Sequence, residues 1–516
     1  MKRLLMCTAI LATLPLIAHA QITMNYSVEY KIKNVNSGLV LGISGASQTA
    51  GANLVQWADN GTADHLWHFM PIGTNVYNIE NMNSHQVIGV SGASKSDGAQ
   101  IVQWADSGTT DHNWQVIKAS DGNYLIKNVN SGLYLEVENA GTSDTATIDQ
   151  WASTGCTCQE WTFTNTGTDP YPTPRSVSGT GKYVHDPDMI YDSTSGAYWL
   201  YGTHQTIAYS TDRTTFTLTT ESSSKGACTA AEGGYWITDD SHCPIIGPDF
   251  TQWTGLQSPK SDNGGEDDDV WAPSVMYAGG KYYQAYSIPV EPDTVGGEAI
   301  IGMASATTPY GPWTQLGWEI SSWSNTTNTP ITSSYGWNFV KGTTYNAIDG
   351  APFVDASGNW WMVFGSWFDG THLFQLSTST GLRSNSTMYS IAARGAGEEG
   401  PFIIYTNGYY YYFAPINACC SATSDYRTIY GRSSSVSGPY VDRGGLALTA
   451  GGGTILISTH DNVVGPGGGS VFIDSHNSNA VTFVYHYYDS NNSGTPTLGI
   501  NTIKFTSDGW PYLTTN

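Results

Sequence analysis

The chain has 516 residues and a formal net charge of −23, although only 12% of its residues are charged. This acidity excludes nucleic acid and anionic membranes as expected partners, because both would be repelled, and it favours a neutral polymer. The chain is also too long for one hydrophobic core, so two or more domains are expected.

The N-terminus has the pattern of a secretory signal peptide over residues 1–20. An apolar run follows Lys2 and Arg3, and the small-residue sequence AHA ends just before Gln21. No later apolar run approaches the length of a membrane span. We therefore expect a secreted, extracellular protein that acts as a monomer and does not bind membranes.

Six cysteines remain after the signal peptide, and they fall into close pairs. An exported protein is expected to form disulfides, and the spacings lack the ligand pattern of a zinc site. The pairs are Cys156/Cys158, Cys228/Cys243 and Cys419/Cys420. We favour a disulfide between Cys228 and Cys243.

Residues 21–165 contain a threefold repeat with a step of 47 residues. The three units contain the segments KNVNSGLVLGISGAS, ENMNSHQVIGVSGAS and KNVNSGLYLEVENAG. Two tryptophan series keep the same step: Trp57, Trp104 and Trp151, and Trp67, Trp114 and Trp161. Short apolar segments alternate with Asn/Ser/Gly turns and show no helical period, so the repeat predicts a closed all-β domain.

This region resembles the ricin-B-type β-trefoil lectins. Their QxW signature is kept at Gln159–Trp161 and reads HxW in the other two units. The resemblance implies that the QxW tryptophans are core residues and that three others form sugar-stacking platforms: Trp57, Trp104 and Trp151. The acid that accepts sugar hydroxyl groups is kept as Glu136, where the other units have Gly42 and Gly89. Sugar binding is expected mainly at Glu136 and Trp151, and a purely structural trefoil is the alternative.

A Pro/Thr/Gly-rich linker, residues 166–179, precedes a second domain, residues 180–516. Here one hairpin pattern occurs five times, in MIYDSTSGAYWLYGT, VMYAGGKYYQAYS, PFVDASGNWWMVFGS, FIIYTNGYYYYFAP and VFIDSHNSNAVTFVYHYYD. Five such units predict a five-bladed β-propeller, and the whole chain is predicted to be all-β. Because each domain is expected to have its own core, the propeller is predicted to process short soluble substrates without the trefoil.

Alignment of the five hairpins places one residue of each at the same level around the propeller axis. These residues are Asp186, Ala272, Asp349, Glu399 and Gly468. Turn formation beside Pro or Gly does not account well for three acids in register. We therefore predict that the acids converge in one polar funnel, whereas Asp188 has a turn or supporting role.

The motifs HDP, WAPS, NAID, FGSW, EGPF, YGRS and VYHYYD follow one another in this domain. They resemble glycoside hydrolase family 43, specifically its arabinan-cleaving members, which are five-bladed propellers that cleave α-L-arabinofuranosyl or β-D-xylosyl bonds with inversion. The resemblance implies that Asp186 is the general base, Glu399 the general acid, and Asp349 the residue that orients the acid and raises its pKa. The same motifs imply substrate contacts at Trp271, Asn346 and Ser366, although Trp271 could equally be a packing residue.

No cofactor is required for this chemistry, and a structural calcium ion is in question. The arabinanases read GPGH and place that histidine on the propeller axis near calcium, whereas this chain has Gly468. Either water and carbonyl oxygens alone hold the ion, which Ca²⁺ tolerates, or the axial site is empty. We interpret His486 as structural and Glu266–Asp269 as a solvated loop.

Three functions remain open. The first is a secreted hydrolase that cleaves the α-1,5-linked backbone of arabinan internally and carries an appended lectin. The second is an exo-acting α-L-arabinofuranosidase or β-xylosidase on the same scaffold, and the third is a non-catalytic carbohydrate-binding protein. The expected partner is plant cell-wall polysaccharide, either arabinan or arabinose-containing hemicellulose.

Overall fold

The computed structural model describes residues 24–203, 206–219, 230–231, 235–236, 270–289, 299–311, 313–322, 345–395 and 397–515. The predicted signal peptide, the Cys228–Cys243 pair and the Glu266–Asp269 loop lie outside these residues. The described chain is all-β, as predicted, and none of its helices could cross a bilayer. These helices are short 3-10 turns: Ser44–Ala46, Ala63–His65, Ser91–Ala93, Thr110–His112, Glu138–Ala140, Thr157–Gln159, Thr180–Lys182, Leu448–Ala450 and Ser490–Asn492.

The N-terminal domain consists of three successive units of four strands each. The strands are β1 Tyr30–Asn34, β2 Val40–Ile43, β3 Leu54–Trp57, β4 Trp67–Gly73, β5 Val76–Asn81, β6 Val87–Val90, β7 Ala99–Trp104, β8 Trp114–Lys118, β9 Tyr124–Asn128, β10 Tyr134–Val137, β11 Ile148–Trp151 and β12 Trp161–Asn165. Antiparallel pairing runs from β1 through β4, β5, β8, β9 and β12 and back to β1. The ring therefore closes, and the predicted trefoil is confirmed.

The second tryptophan of each unit lies in the trefoil core, as predicted. Trp67, Trp114 and Trp161 have no exposed surface. Each indole Nε1 donates a hydrogen bond of 3.0–3.1 Å to a carbonyl oxygen in the preceding hairpin of its own unit. The indoles thus satisfy their polar atom while they fill the core.

The C-terminal domain contains five four-stranded antiparallel sheets, in sequence order within each sheet. They are β13 Asp188–Asp192, β14 Ala197–Gly202, β15 Thr206–Ser210, β16 Thr217–Leu218; β19 Trp271–Ala278, β20 Lys281–Pro289, β21 Ala299–Ala306, β22 Thr314–Ser321; β23 Ala351–Val354, β24 Trp360–Phe364, β25 Thr371–Leu376, β26 Tyr389–Ala392; β27 Phe402–Thr406, β28 Tyr409–Ile416, β29 Arg427–Ser433, β30 Thr454–Ile457; and β31 Val463–Asp474, β32 Ala480–Asp489, β33 Thr495–Phe505, β34 Pro511–Thr514. A separate two-stranded pair is formed by β17 Ala230–Ala231 and β18 Tyr235–Trp236.

The first strand of each sheet contacts the first strand of the next. These contacts run from β13 to β19, β23, β27 and β31, and β31 returns to β13. The innermost strands therefore surround one axis, and the predicted five-bladed propeller is confirmed. The residues that precede these strands are brought to one end of the axis.

Two disulfides are formed in the described part of the chain. One joins Cys156 to Cys158 in the trefoil, and the other joins the adjacent residues Cys419 and Cys420 in the propeller. Two of the close cysteine pairs in the sequence are therefore bonded.

The two domains do not have wholly separate cores, which differs from the expectation. Met70 and Val87 of the trefoil and Tyr171 of the linker belong to one buried cluster with side chains of the fourth and fifth blades. The Tyr171 hydroxyl donates to Glu80, a buried trefoil carboxylate, at 2.6 Å. Apolar residues of the repeat that a lone trefoil would expose are thus covered by the propeller. Four other buried clusters lie within the propeller itself, so the shared cluster joins the two domains without replacing the propeller's own core.

Candidate active site

A cavity of about 510 Å³ lies at the end of the propeller axis where the first strands begin. All five aligned residues line it: Asp186, Ala272, Asp349, Glu399 and Gly468. The three acids interact electrostatically with one another. The structure therefore brings together the carboxyl groups that the alignment placed at one level.

Backbone conformation marks the same position in the blades. Asp186, Ala272, Asp349 and Gly468 have φ values of 50°, 41°, 59° and 54°, in the left-handed region that disfavours most side chains. In the fourth blade the positive value of 53° falls on Gly400 instead. Glu399 therefore lies one residue earlier along the chain than the alignment implied, although it still lines the cavity.

Asp186 is held by donors that favour its ionised form. Its Oδ2 accepts hydrogen bonds from His185 Nδ1 at 2.8 Å and Thr203 Oγ1 at 2.5 Å. Its own backbone N–H donates to His486 Nδ1 at 3.1 Å. Burial opposes ionisation of Asp186, but His185, His486 and Thr203 together hold its pKa well below the usual range. Asp186 is thus suited to accept a proton.

Two histidines and a tyrosine form a connected group behind Asp186. The rings of His185 and His486 stack with centroids 3.9 Å apart. The Tyr488 hydroxyl lies 2.9 Å from His185 Nε2 and 3.2 Å from His486 Nε2, and it accepts from the Cys420 backbone N–H at 2.6 Å. This group fixes the orientation of the His185 ring, and through it Asp186.

Glu399 is a partly buried carboxyl group that accepts hydrogen bonds from three donors. Tyr426 donates to Oε1 at 2.6 Å, while Ser366 Oγ and Trp367 Nε1 donate to Oε2 at 3.0 and 3.1 Å. Burial raises the pKa of Glu399, and the negative charge of Asp186 raises it further. The hydrogen bond from Tyr426 acts in the opposite direction and lowers it. A carboxyl group with a raised pKa is suited to donate a proton.

Asp349 interacts with the charges of both Asp186 and Glu399. Its Oδ2 accepts a hydrogen bond of 3.0 Å from the Gly400 backbone N–H, next to Glu399. Burial, together with the charges of Glu399 and Asp186, raises the pKa of Asp349 well above its usual value. Because Asp349 and Glu399 oppose each other's ionisation, one of the two carboxyl groups keeps its proton at a pH where an ordinary carboxyl group is ionised.

The three candidate substrate contacts occupy different environments. Trp271 is half-buried and lines the cavity. Ser366 is buried and donates to Glu399, so its contact is with the acid. Asn346 is also buried, and its side-chain oxygen accepts a hydrogen bond of 3.4 Å from Ser322 Oγ.

Sequence reasoning did not single out His185, Thr203, Trp367 or Tyr426, all of which contact a carboxyl group of the site. His185 and Trp367 stood inside the quoted motifs HDP and FGSW, so their motifs carried a signal. Thr203 ends the quoted hairpin MIYDSTSGAYWLYGT, and the hairpins of the next two blades end in serine, so this repeated hydroxyl group was a signal that could have found it. Tyr426 precedes β29 in the same blade as Glu399, and no sequence pattern marked it.

The residues at the axis do not fit a calcium ion. A Cβ on Gly468 would lie 2.5 Å from Asp186 Oδ1 and 2.6 Å from His486 Cε1, so His486 already fills the space that a side chain at this position would need. The nearby cluster is His185, Asp186 and His486, and the ring nitrogens of both histidines have hydrogen-bond partners. Calcium prefers a set of six to eight oxygen ligands.

The platform tryptophans of the trefoil differ in exposure. Trp57 and Trp151 are 38% and 40% exposed, whereas Trp104 is half-buried and packs on Gly51. Glu136 is buried on β10, the strand that pairs with the Trp151 strand, and its Oε2 accepts a hydrogen bond of 2.7 Å from Gln159 Nε2. The third unit therefore combines an exposed indole with a positioned carboxylate.

The loss of the acid in the other two units is coupled to their HxW sequence. A Cβ on Gly42 would lie 2.5 Å from the His65 ring, and Gly89 has the same relation to His112. In the third unit the equivalent pair is Glu136 and Gln159. The histidine ring thus occupies the volume that the glutamate fills in the third unit.

Two opposed carboxyl groups, one stabilised as a base and one retaining its proton, are the requirement for hydrolysis of a glycosidic bond. The fold and the cavity therefore define a glycoside hydrolase. The sequence profile described as Glycosyl hydrolases family 43 matches residues 246–511, and the chain belongs to this family. A second profile, Ricin-type beta-trefoil lectin domain-like, matches residues 21–104 and 110–185.

Relatives of the propeller domain carry consistent names. Extracellular endo-alpha-(1->5)-L-arabinanase 1 of Bacillus subtilis is 39% identical over 247 residues, which are 47% of this chain and 68% of that protein. Probable arabinan endo-1,5-alpha-L-arabinosidase A of Emericella nidulans is 32% identical over 358 residues, 66% of this chain and 94% of the relative. The solved structure of GH43 Endo-Arabinanase from Bacillus licheniformis is 28% identical, covers 66% of this chain and 99% of that chain, and superposes with a TM-score of 0.50.

Proposed function

We propose that this protein is a secreted, inverting hydrolase that cleaves internal α-1,5-linked L-arabinofuranosyl bonds of arabinan. The convergence of Asp186, Asp349 and Glu399 in one cavity carries the proposal. The names of the relatives support arabinan as substrate, and one of them is named extracellular and endo-acting. The signal-peptide pattern of residues 1–20 supports secretion.

In the proposed mechanism Asp186 accepts a proton from the attacking water. The water is activated on one face of the sugar, and inversion follows because the same water displaces the leaving group from the opposite side. His185 and Thr203 keep Asp186 ionised and oriented before the reaction. Asp186 therefore requires no movement to act as the base.

Glu399 donates its proton to the leaving oxygen on the other side of the bond. Ser366, Trp367 and Tyr426 fix its two oxygens, so the proton is delivered in a defined direction. Asp349 accepts a hydrogen bond from the Gly400 N–H next to Glu399, and the two carboxyl groups repel each other when both are ionised. We therefore assign Asp349 as a positioning residue whose charge would disfavour loss of the proton from the acid.

The trefoil is proposed to bind carbohydrate through its third unit. Trp151 offers an exposed aromatic face, and Glu136 offers a carboxylate that can accept sugar hydroxyl groups. Such a unit would retain the enzyme on insoluble cell-wall polysaccharide.

The product profile on linear, debranched arabinan tests the proposal. Internal cleavage is expected to give mixed oligosaccharides with a rapid fall in viscosity, because each cut shortens the polymer substantially. A preparation carrying Asp186→Asn is the control for contaminating hydrolases. Release of arabinose alone with little change in viscosity would assign exo action, and absence of any product would overturn arabinan as the substrate.

We also propose that hydrolysis proceeds without a bound metal. Treatment with EDTA followed by dialysis is expected to leave kcat on arabino-oligosaccharides within about twofold of the untreated value, because the axial residues do not suit calcium. The measurement is an initial rate before and after chelation, together with the thermal midpoint. A loss of rate that calcium restores would contradict this prediction.

A further inference from the structure

Asp106 of the second trefoil unit reaches across to the propeller. It follows β7, and its two carboxylate oxygens lie 3.4 Å from Arg394 Nη2 and 3.3 Å from Arg427 Nη1. All three side chains are at most 2% exposed. A buried carboxylate between two guanidinium groups is costly to disrupt from one side, because the remaining charges stay in a dry environment.

The other trefoil units do not share this arrangement. The residue equivalent to Asp106 in the first unit is Asp59, which is partly exposed and pairs with Lys31 of the trefoil itself. In the third unit the equivalent residue is Ser153, which carries no charge. The first unit also contacts the propeller, since its Ala50 backbone N–H donates to the Gly444 carbonyl at 3.2 Å. Of the three equivalent positions, that of Asp106 is therefore the one that brings a buried charge to the catalytic domain.

Arg394 connects this contact to the segment that carries the acid. It follows β26 and lines, with Glu398 and Trp367, a cavity of about 30 Å³ behind the active site. Glu398 is buried, interacts with the charge of Arg394, and accepts a hydrogen bond of 2.6 Å from the Tyr412 hydroxyl. The positive charge of Arg394 is thus shared between Asp106 and Glu398.

Glu398 is joined to the acid in two ways. It precedes Glu399 directly, and its carbonyl oxygen accepts a hydrogen bond of 2.8 Å from the Trp367 backbone N–H. The Trp367 indole in turn donates to Glu399 Oε2. A shift of Arg394 would therefore reach Glu399 through Glu398 and Trp367.

We infer that Asp106 is a positioning residue for catalysis, and that the trefoil thereby completes the support of the catalytic acid in the propeller. This inference rests on the proposed role of Glu399. It assigns the trefoil a task separate from sugar binding, since it acts through the second unit and not through Trp151. Relatives such as that of Emericella nidulans match over 66% of this chain and 94% of their own length, so the docked trefoil lies largely outside what they share with it.

The charged groups around Arg394 determine the sign of the effect. They are Asp106, Arg427, Glu398 and Asp425, and His112 also faces Asp106. Asp106→Asn removes one negative charge and leaves two buried cations beside the acid segment. The ionised form of Glu399 is then favoured, so the acid loses its proton at a lower pH.

The test uses the full-length protein and a soluble arabino-oligosaccharide, which does not depend on retention by the lectin sites. Asp106→Asn is expected to lower kcat about tenfold with KM within about twofold, since a small displacement of a catalytic group has effects of this size. The alkaline limb of the pH–rate profile is expected to move down by about 0.5–1 unit. The matched control is Asp59→Asn, which should change neither quantity.

Arg394→Met provides a second variant with the opposite sign. It removes a positive charge near the acid, so the alkaline limb is expected to move to higher pH, and the double variant Asp106→Asn/Arg394→Met should return it toward the wild-type value. The shift expected for Arg394→Met can be measured even if Asp106→Asn alone does not fold. The inference is overturned if the wild type hydrolyses arabinan but Arg394→Met leaves the limb unmoved or lowers it, or if folded Asp106→Asn matches Asp59→Asn. A wild type without activity would instead overturn the proposed function.

Discussion

Replacement of Asp186 by asparagine is expected to lower hydrolysis of every substrate by up to about four orders of magnitude, the upper range for one general base. No leaving group, however good, replaces activation of the attacking water. Asparagine preserves the shape of the side chain and tolerates the positive φ of 50° at this position. In the wild type the acidic limb of the pH–rate profile should lie below the ordinary aspartate range, because His185 helps to keep Asp186 ionised.

The measurement is kcat/KM on arabino-oligosaccharides and on an aryl glycoside, with thermal unfolding as the fold control. Asp186→Ala serves as a second variant that cannot revert by deamidation, and Ala272 shows that the propeller backbone accepts alanine at the equivalent position of the second blade. Substantial activity in either folded variant would remove Asp186 from the role of base.

Glu399→Ala is expected to show a different dependence on the leaving group. On arabinan, whose alkoxide leaving group needs a proton, the loss should be about 10²–10⁴-fold. On an aryl arabino-oligosaccharide, whose phenolate leaves unaided, the loss should be smaller by at least about tenfold. The comparison of two substrates with one variant corrects for any general damage to the cavity.

Equal losses on the natural and the aryl substrate would contradict the assignment of Glu399 as the acid. Its neighbour Asp349 would then be the next candidate, because burial and the adjacent carboxyl groups also raise the pKa of Asp349. The loss of the alkaline limb of the pH–rate profile in Glu399→Ala on the aryl substrate gives an independent check.

The sequence predicted the two folds because both are built from repeats. The constant spacing of the trefoil tryptophans and the five similar hairpins reported the architecture without any need for exact strand ends. The exact residue at each position within one blade was harder to predict from the sequence. Gly400 takes the special backbone position that acids occupy in two other blades, and the run EEGPF contains no signal for this offset.

The acids of the site were predictable, whereas most of their partners were not. Asp186, Asp349 and Glu399 occur at aligned positions, so their convergence follows from the rotational repetition of the blades. Tyr426 comes from a part of its blade that carries no repeat pattern, whereas Thr203 ends one of the repeated hairpins. Asp106 was harder still to predict, because its partners Arg394 and Arg427 lie in another domain, 288 and 321 residues further along the chain.

Two units of the trefoil carry a glycine–histidine pair where the third carries Glu136 and Gln159. This pairing limits how each unit can change. An acid introduced at Gly42 alone would collide with the His65 ring, and glutamine introduced at His65 alone would leave a void beside Gly42. Either single step is therefore expected to destabilise its unit. A glycine–histidine pair changes to glutamate–glutamine without this cost only when both residues change together, so the two positions vary as one pair in each copy of the repeat.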